Sequence, residues 1–361
     1  DSVTMEVLRQ GWSIREVFHP QFLVRRDLEG NLQGIMRVSE AEHDPSATPE
    51  SWMHLEILPP ARTDGREALV PELEQGLREV LRLVEEAVED WQKMITRSED
   101  TIEMLKDPEF IGDRAEQADL ACELLSWLDA NHFTFLGYRE YDVLSEESGI
   151  QFRVRPGTGL GILRPDQDLP GTFHAVPQPN GKPELMIVTK DNQKSRVHRP
   201  AYLDYIAVRI FDAGDRVIGE RRFLGLFSSS AYSESVARIP VLRQKAAAVI
   251  QLSGYSEHSH GGKAIMDVLE TYPRDELFQT PLHELAAIVE KVAHLRERRQ
   301  VRMFVRRDPY GRYLSCLVYL PRDRYTTSVR KRMEKILMSA LGGASMEYTA
   351  RVTESVLARL H

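Results

Sequence analysis

The feature that most constrains the fold is a pair of apolar segments separated by a short polar turn. Residues 202–211 carry aromatic and β-branched side chains, which suit the pleated surface of a β-sheet. The turn at 212–215 contains Asp and Gly, and Gly accepts a positive φ without steric cost. A second apolar segment then returns over 217–227. The pattern predicts an antiparallel hairpin near the middle of the chain.

The same succession of strand, arginine, Asp-containing turn and glycine occurs at three places. Residues 24–30 (VRRDLEG) match 305–311 (VRRDPYG) in spacing and type, and 208–214 (VRIFDAG) is a looser copy. Hairpin turns often use Asp and Gly, so coincidence is one explanation. Related modules are the other, and we favour them because an amphipathic helix accompanies each copy. Such units fit small α+β domains with helices on one face of an antiparallel sheet.

Helical patterns connect these hairpins. The longest runs from residue 66 to about residue 106, where apolar residues recur at steps of three and four and form one stripe. This helix could lie on its own sheet or bridge two modules. Shorter helices are predicted at 114–129, 241–252, 264–272, 282–298 and 327–341.

Composition and charge argue against several classes of protein. The chain has 361 residues and a net charge of −8, whereas nucleic-acid binding normally appears as a basic domain. No segment approaches the roughly 20 apolar residues of a membrane helix. Cys122 and Cys316 give no disulfide framework and no zinc spacing, so a reducing cytoplasm is the expected compartment. Because the chain starts without Met and stops just after a strand-like segment, we expect it to be an excerpt of a longer protein.

Catalytic signatures are missing from the sequence. No G-x-S-x-G, H-E-x-x-H, C-x-x-C or EF-hand spacing occurs. Gly157, Gly159 and Gly161 form a glycine-rich segment, but their spacing is not that of a dinucleotide turn and no helical pattern follows. We interpret the segment as a flexible loop, with a contact to a small ligand as the alternative.

A second glycine-containing segment, 254–263 (GYSEHSHGGK), partly resembles a P-loop. Too many residues separate its glycines, and Ala264 stands where Ser or Thr should hold magnesium. His258 and His260 lack the third ligand that zinc usually needs, so no metal site is predicted. A self-contained nucleotide enzyme that uses Lys263 stays as a minor hypothesis.

Basic residues surround the predicted central hairpin. The segment 194–199 includes Arg196 and His198, and Arg221 and Arg222 lie on the returning strand. A solvated strand edge is the simpler interpretation, since Lys and Arg commonly protect exposed edges. A carboxylate-binding corner is the alternative, because the guanidinium fork suits carboxylates.

Four longer segments resemble a known family. They are 131–143 (NHFTFLGYREYDV), 196–204 (RVHRPAYLD), 225–234 (GLFSSSAYSE) and 272–278 (YPRDELF). Together they look like the large NAD-specific glutamate dehydrogenases of bacteria, and the likeness runs through essentially the whole chain. The similarity is to that family's N-terminal region, which carries ACT-like regulatory modules, whereas its catalytic module lies far downstream. No catalytic residue is carried over, because the dinucleotide fold and catalytic lysine have no counterpart here.

The resemblance implies an α+β fold, in which several ACT-like (ferredoxin-like) antiparallel sheet modules are joined by helical segments. The first module, N-terminally truncated and followed by the long helix, is expected at 1–106. A second with flanking helices is expected at 107–255, and a helical linker at 256–300. The third is expected at 301–361, where a C-terminal truncation is open.

For function, the resemblance implies a full-length enzyme that converts L-glutamate, NAD and water to 2-oxoglutarate, ammonia and NADH. This segment would be inactive alone and would hold no cofactor, with NAD bound elsewhere in the full-length enzyme. ACT modules typically pair edge to edge and bind amino acids at the seam, so regulation by an amino-acid effector is the leading hypothesis. The candidate effector-binding residues are Gly157, Gly159, Gly161, Arg196, His198, Arg221 and Arg222.

The resemblance also implies partners. The family forms large homo-oligomers, and a tetramer is expected for the full-length enzyme. An FHA-domain protein regulates actinobacterial members and is a candidate partner, whereas neither nucleic acid nor a membrane is expected. The alternative to regulation is a purely structural scaffold that joins subunits and binds no small molecule.

Overall fold

A computed structural model gives the architecture of the chain. It describes residues 1–36, 45–60, 66–146, 149–164, 183–298, 300–308, 312–353 and 355–361. The chain divides into two compact units. The first consists of Asp1–Glu85 with Arg196–Pro200, and the second of Glu86–Ser195 with Ala201–His361. The fold is α+β with several small antiparallel sheets, which confirms the predicted fold class.

The first unit combines two small sheets with helices. In chain order its elements are α1 (Ser2–Arg9), β1 (Ser13–Phe18), β2 (Gln21–Arg26), β3 (Leu32–Met36), β4 (Thr48–Ser51), β5 (His54–Leu58) and α2 (Arg66–Glu89) as far as Glu85. Strands β1 and β5 pair with each other, and β2 lies between β3 and β4. Val7, Trp12 and Leu73 are buried at the centre of its core, so α1 and α2 share one apolar cluster.

The second unit is built around a six-stranded sheet. Its strands are β6 (Phe133–Glu146), β7 (Gly149–Val154), β8 (Leu160–Gly161), β9 (Met186–Lys194), β10 (Tyr202–Phe211) and β11 (Val217–Phe227). The order is β7-β6-β11-β10-β9, all neighbours are antiparallel, and β8 pairs with β6. The predicted central hairpin is β10 and β11, with Tyr205 opposite Leu224. Among the described residues from β6 to β11, no helix alternates with the strands, unlike the ferredoxin-like order expected for this module.

Three helices precede this sheet and pack on one of its faces. They are α3 (Trp91–Met104), α4 (Pro108–Ile111) and α5 (Ala115–Trp127). Met94, Leu124 and Phe223 are among the fully buried side chains of the shared core. The predicted continuous helix at 66–106 is interrupted at Asp90, where α2 ends and α3 begins. The Asp90 carboxylate is buried and accepts hydrogen bonds from the Gly161 N–H and the Arg164 guanidinium, at 3.0 and 2.9 Å.

A helical group and a four-stranded sheet complete the second unit. Their elements are α6 (Ser229–Ser233), α7 (Leu242–Leu252), α8 (His260–Thr271), α9 (Arg274–Gln279), α10 (Leu282–Arg298), β12 (Arg302–Arg307), β13 (Leu314–Pro321), α11 (Thr327–Leu341), β14 (Ala350–Arg351) and β15 (Leu357–Leu360). The sheet order is β12-β13-β15-β14. Leu317, Tyr319 and Leu357 face the helices and extend their apolar core.

Three hairpin turns share one local interaction at the Asp of the repeated motif. In each turn, an Asp carboxylate accepts a hydrogen bond from the backbone N–H four residues later. The pairs are Asp27 with Asn31 at 2.8 Å, Asp212 with Arg216 at 3.0 Å, and Asp308 with Arg312 at 3.1 Å. Gly311, which ends the third copy, lies outside the described residues. Because Asp side chains favour such turns in any hairpin, this contact by itself does not decide between coincidence and related modules.

Replacing Leu124 by Ala is expected to lower the free energy of unfolding by about 2–5 kcal/mol, because Leu124 is fully buried between α5 and the sheet. Urea denaturation followed by circular dichroism measures the change. The matched control is Leu252→Ala at the end of α7, where the side chain is 48% exposed. A control loss above about 0.5 kcal/mol, or equal losses for the two variants, would contradict this account of the core.

Candidate functional site

The glycine-rich segment is a tightly packed turn, and not the flexible loop that its composition suggested. Gly157 and Gly161 have φ of 73° and 59°, which favours glycine. A Cβ at Gly161 would collide with the carbonyl oxygen of Leu136, and a Cβ at Gly159 with that of Leu163. The glycines therefore allow this segment to approach β6 closely. Whether they also contact a ligand stays a prediction.

Arg221 and Arg222 lie on opposite faces of the six-stranded sheet, because successive side chains of a strand alternate. Arg221 points towards the helices, and its Nη1 donates to the Thr101 hydroxyl at 3.1 Å. On the other face, the Arg222 guanidinium lies 3.9 Å from the ring centroid of Tyr141 and 4.5 Å from that of Tyr205. The two arginines therefore do not form one carboxylate-binding corner.

The other two basic candidates belong to the first unit. Arg196 forms ion pairs with the buried Glu6 at 3.2 Å and with Glu79 at 2.8 Å. His198 has a φ of 73°, and its backbone N–H donates to the Ser2 hydroxyl at 3.0 Å. These contacts occupy Arg196 with carboxylates of the unit itself, which gives it a structural role in this state.

Charged side chains are buried on the face of the six-stranded sheet that lies opposite the helices. Arg222 donates from Nε and Nη2 to the same Glu220 oxygen, at 3.0 and 2.8 Å. The Tyr205 hydroxyl donates to that oxygen as well. Arg209 lies directly across from Glu220 on β10, and Arg139 lies across from Arg222 on β6. All five side chains are buried, so this face is our candidate site.

Sequence reasoning selected Arg222 but missed Glu220, Arg209 and Arg139. The available signal was the presence of charged residues within strand segments rich in apolar and aromatic side chains. Charged residues are rarely fully buried unless they are paired, so such positions indicate either a buried ion pair or a binding site. The basic pair 221–222 was noticed in the sequence, whereas Glu220 beside it and the arginines at 139 and 209 were not.

A second buried cluster joins strands to α9. Lys190 Nζ lies 2.6 Å from the Asp204 carboxylate, 3.3 Å from that of Asp275 and 3.4 Å from the Tyr232 hydroxyl. Burial raises the pKa of Asp204 to about 6, while the Lys190 charge acts in the opposite direction. The segments 196–204, 225–234 and 272–278 each supply one of the three partners of Lys190. Residues from three of the segments that carry the family resemblance therefore meet at one point of the second unit.

The P-loop-like segment, residues 254–263, forms the turn before α8 and the first residues of that helix. Ser259 caps α8 by accepting a hydrogen bond from the Gly262 N–H at 3.1 Å, and a Cβ at Gly261 would collide with Tyr255. His258 and Lys263 are exposed. Within the described ranges, no three or more His, Cys, Asp or Glu side chains gather into a metal-binding group. Each helix in the described parts of the chain is too short or too polar to cross a bilayer.

Comparison with known proteins yields three family models from one family. Residues 1–73 match the glutamate dehydrogenase ACT1 domain, 239–298 match helical motif 1, and 302–361 match the ACT2 domain. The predicted module boundaries at 106, 255 and 300 stay predictions.

Curated relatives match the whole chain and are named NAD-specific glutamate dehydrogenase. The protein from Halomonas elongata is 37% identical over 376 residues, and that from Pseudomonas aeruginosa is 39% identical over 366 residues. The Mycobacterium tuberculosis protein is 33% identical over 369 residues. The match covers 100% of this chain but only 21–22% of each relative, so the chain spans about a fifth of their length.

Glu6→Gln is expected to remove an acid-sensitive part of the stability of the first unit. Burial acts to raise the pKa of Glu6, but hydrogen bonds from Arg9 and Gln10 and the charge of Arg196 lower it from 4.5 to about 2. The ionised carboxylate therefore stabilises the fold above pH 4.5, and this contribution of up to about 3 kcal/mol is lost as the pH falls towards 2. Urea denaturation between pH 6 and pH 2 measures the difference between variant and parent.

The control for this prediction is Glu79→Gln, which removes the other carboxylate paired with Arg196. The Glu79 side chain is 48% exposed, so its loss should cost less than about 1 kcal/mol. Parallel stability curves for the Glu6→Gln variant and the parent across this pH range would refute the assignment.

Gly161→Ala is expected to destabilise the second unit by about 2 kcal/mol or more, because it adds a Cβ against the Leu136 carbonyl at a positive φ. Gly157→Ala is the matched control: its φ is also positive, but a Cβ there meets nothing within 4 Å. We expect the control to cost about 1 kcal/mol. Thermal unfolding of both variants tests this, and equal melting temperatures would disprove close packing at Gly161.

Proposed function

Because the chain belongs to the glutamate dehydrogenase family, as the N-terminal region that carries its ACT domains, we propose that it regulates and assembles a NAD-specific glutamate dehydrogenase. The full-length protein would oxidise L-glutamate to 2-oxoglutarate and ammonia with NAD, in the cytoplasm. The segment described here would bind an amino-acid effector and would have no turnover of its own. The match of two ACT-domain models and one helical-motif model of this family carries the proposal.

Buried charge in the second unit supports a sensory role. The face with Arg209, Glu220 and Arg222 presents both signs of charge, as recognition of a small polar ligand requires. Ion pairs can also serve stability alone, so charge by itself does not distinguish a sensor from a scaffold. Ligand binding is therefore the decisive property.

Assembly is supported by an exposed apolar row on the four-stranded sheet of the second unit. Strand β12 forms one edge of that sheet. Val301, Met303 and Val305 share one face at this edge and are 53%, 49% and 42% exposed. An edge strand that exposes apolar side chains is suited to pairing with another chain. We propose a homo-oligomer, a tetramer in the full-length enzyme, with an FHA-domain protein as a further partner; a scaffold without a ligand is the second candidate function.

A thermal-shift screen of the purified chain with each of the twenty common amino acids tests regulation. At least one amino acid is expected to raise the melting temperature, because a ligand present at 100 times its Kd stabilises the folded state by about 2.7 kcal/mol. Isothermal titration calorimetry then gives the Kd and the stoichiometry of the binder. The same compounds tested on Leu124→Ala check that the shift does not depend on starting stability.

The absence of any shift or heat with all twenty amino acids would favour the scaffold. Incubation of the chain with L-glutamate and NAD is expected to yield no NADH. Turnover in that assay would refute the proposal that the segment is non-catalytic. Sedimentation at several concentrations measures assembly in either case.

A further inference from the structure

We propose that the face of the six-stranded sheet opposite the helices binds an α-amino acid as its zwitterion. Arg222 and Arg209 would hold the carboxylate, and Glu220 would hold the ammonium group. The inference rests on the proposed function and deepens it, because it gives the effector a location and a chemical class. It selects Arg222 from the sequence-based candidates and adds two residues that the sequence did not single out.

Strand register brings these side chains together. Glu220 on β11 lies directly opposite Arg209 on β10 and Tyr141 on β6. Arg222 lies two residues further along β11, on the same face, and is opposite Ala207 on β10. The three charged residues therefore occupy two adjacent rows of one face. Neighbouring strands are about 4.8 Å apart, which suits a ligand with two charged groups separated by one carbon.

Each of the three charged residues proposed to bind the ligand has one buried polar atom without a hydrogen-bond partner among the described residues. These atoms are Nη1 of Arg222, Oε2 of Glu220 and Nε of Arg209. Their side chains are 2%, 0% and 6% exposed. The two carboxylate oxygens of Glu220 differ in their contacts. One accepts hydrogen bonds from Arg222 and Tyr205, whereas the other accepts none within the described chain. Burying unsatisfied charged atoms costs free energy, so these atoms indicate a missing partner.

The polar atoms without a hydrogen-bond partner indicate the chemistry of the missing partner. Two guanidinium N–H groups need an acceptor with negative charge, and one carboxylate oxygen needs a donor with positive charge. A carboxylate and an ammonium on one small molecule satisfy both requirements. Tyr141 and Tyr205 stack on Arg222 and hold its guanidinium plane in a fixed direction. An ordered water that bridges Arg222 and Glu220 is the simplest competing occupant.

Access to this site requires motion. With Arg222 only 2% exposed, a ligand cannot reach its guanidinium without an opening of this face. Binding that requires a conformational change is slower than binding to an open site. We therefore expect slow association, which stopped-flow fluorescence can measure.

The test compares neighbouring arginines on one strand. Every amino acid that binds the parent chain is titrated into Arg222→Gln, Glu220→Gln and the matched control Arg221→Gln, whose side chain faces the helices. The first two variants should weaken binding by about tenfold or more, because each removes a hydrogen bond to a charged group. The control should stay within about twofold of the parent. The carboxamide and the des-amino analogue of each binder should each lose a similar factor.

Arg222→Gln leaves Glu220 buried beside a neutral group and can fail to fold. Hydrogen–deuterium exchange on the parent chain therefore provides a second measurement, in which the binder should protect β10 and β11. Protection confined to the first unit or to β12 would overturn the inference. So would unchanged affinity in a folded Arg222→Gln variant, or a crystal structure with the binder in which only water lies between Arg222 and Glu220.

These outcomes separate the site from the broader function. If an amino acid binds the parent and the Arg222 and Glu220 variants equally well, this site is wrong and amino-acid sensing stands. If none of the twenty binds the parent, amino-acid sensing fails and the site fails with it.

Discussion

Buried charge at Lys190 is the interaction on which the arrangement of the second unit depends. Lys190 sits on the edge strand β9 and pairs with Asp204 of the neighbouring strand and Asp275 of α9, at 2.6 and 3.3 Å. Removing one partner of such a cluster leaves an uncompensated charge, which costs about 3–5 kcal/mol. Attraction to both carboxylates, set against the opposing effect of burial, raises the pKa of Lys190, so the lysine stays charged. Strand β9 and α9 are therefore held in one relative position by electrostatics as well as by apolar packing.

Helix α9 extends this connection to the four-stranded sheet of the second unit. Glu276 accepts two hydrogen bonds from Arg306 of β12, at 2.9 and 2.7 Å, and both side chains are buried. Gln279 accepts hydrogen bonds from Thr189 of β9 and from the Tyr313 hydroxyl. A helix of six residues thus contacts the edge strands of two sheets through polar side chains. A shift of β9 relative to the four-stranded sheet would have to break several of these hydrogen bonds together. Helix α9 is therefore the structural element best placed to couple β9 to that sheet.

The hairpins could be predicted from local turn chemistry, whereas the order of the strands in the sheet could not. Asp27, Asp212 and Asp308 each accept a backbone hydrogen bond within their own turn, so a few neighbouring residues determine the geometry. Pairing of β11 with β6 joins segments some eighty residues apart, as Arg222 opposite Arg139 illustrates. Nothing in the pattern of either strand selects that partner, because both combine apolar residues with several charged ones. The family resemblance supplied the ACT domains at the two ends, and the strand order of the middle sheet came only from the structure.

The side-chain contacts of the candidate site likewise could not be predicted from the sequence. A basic pair in a strand was recognised, but alternation sends Arg221 to the helices and Arg222 to the other face. Arg196 has buried Glu6 as a partner within the first unit, which no spacing in the sequence indicates. What the sequence does contain is a charge such as Glu220 inside a strand segment that is mostly apolar. A buried charge needs a partner of opposite sign, and where the chain supplies that partner incompletely, as at Glu220 and Arg222, a bound ligand or an ordered water must supply the rest.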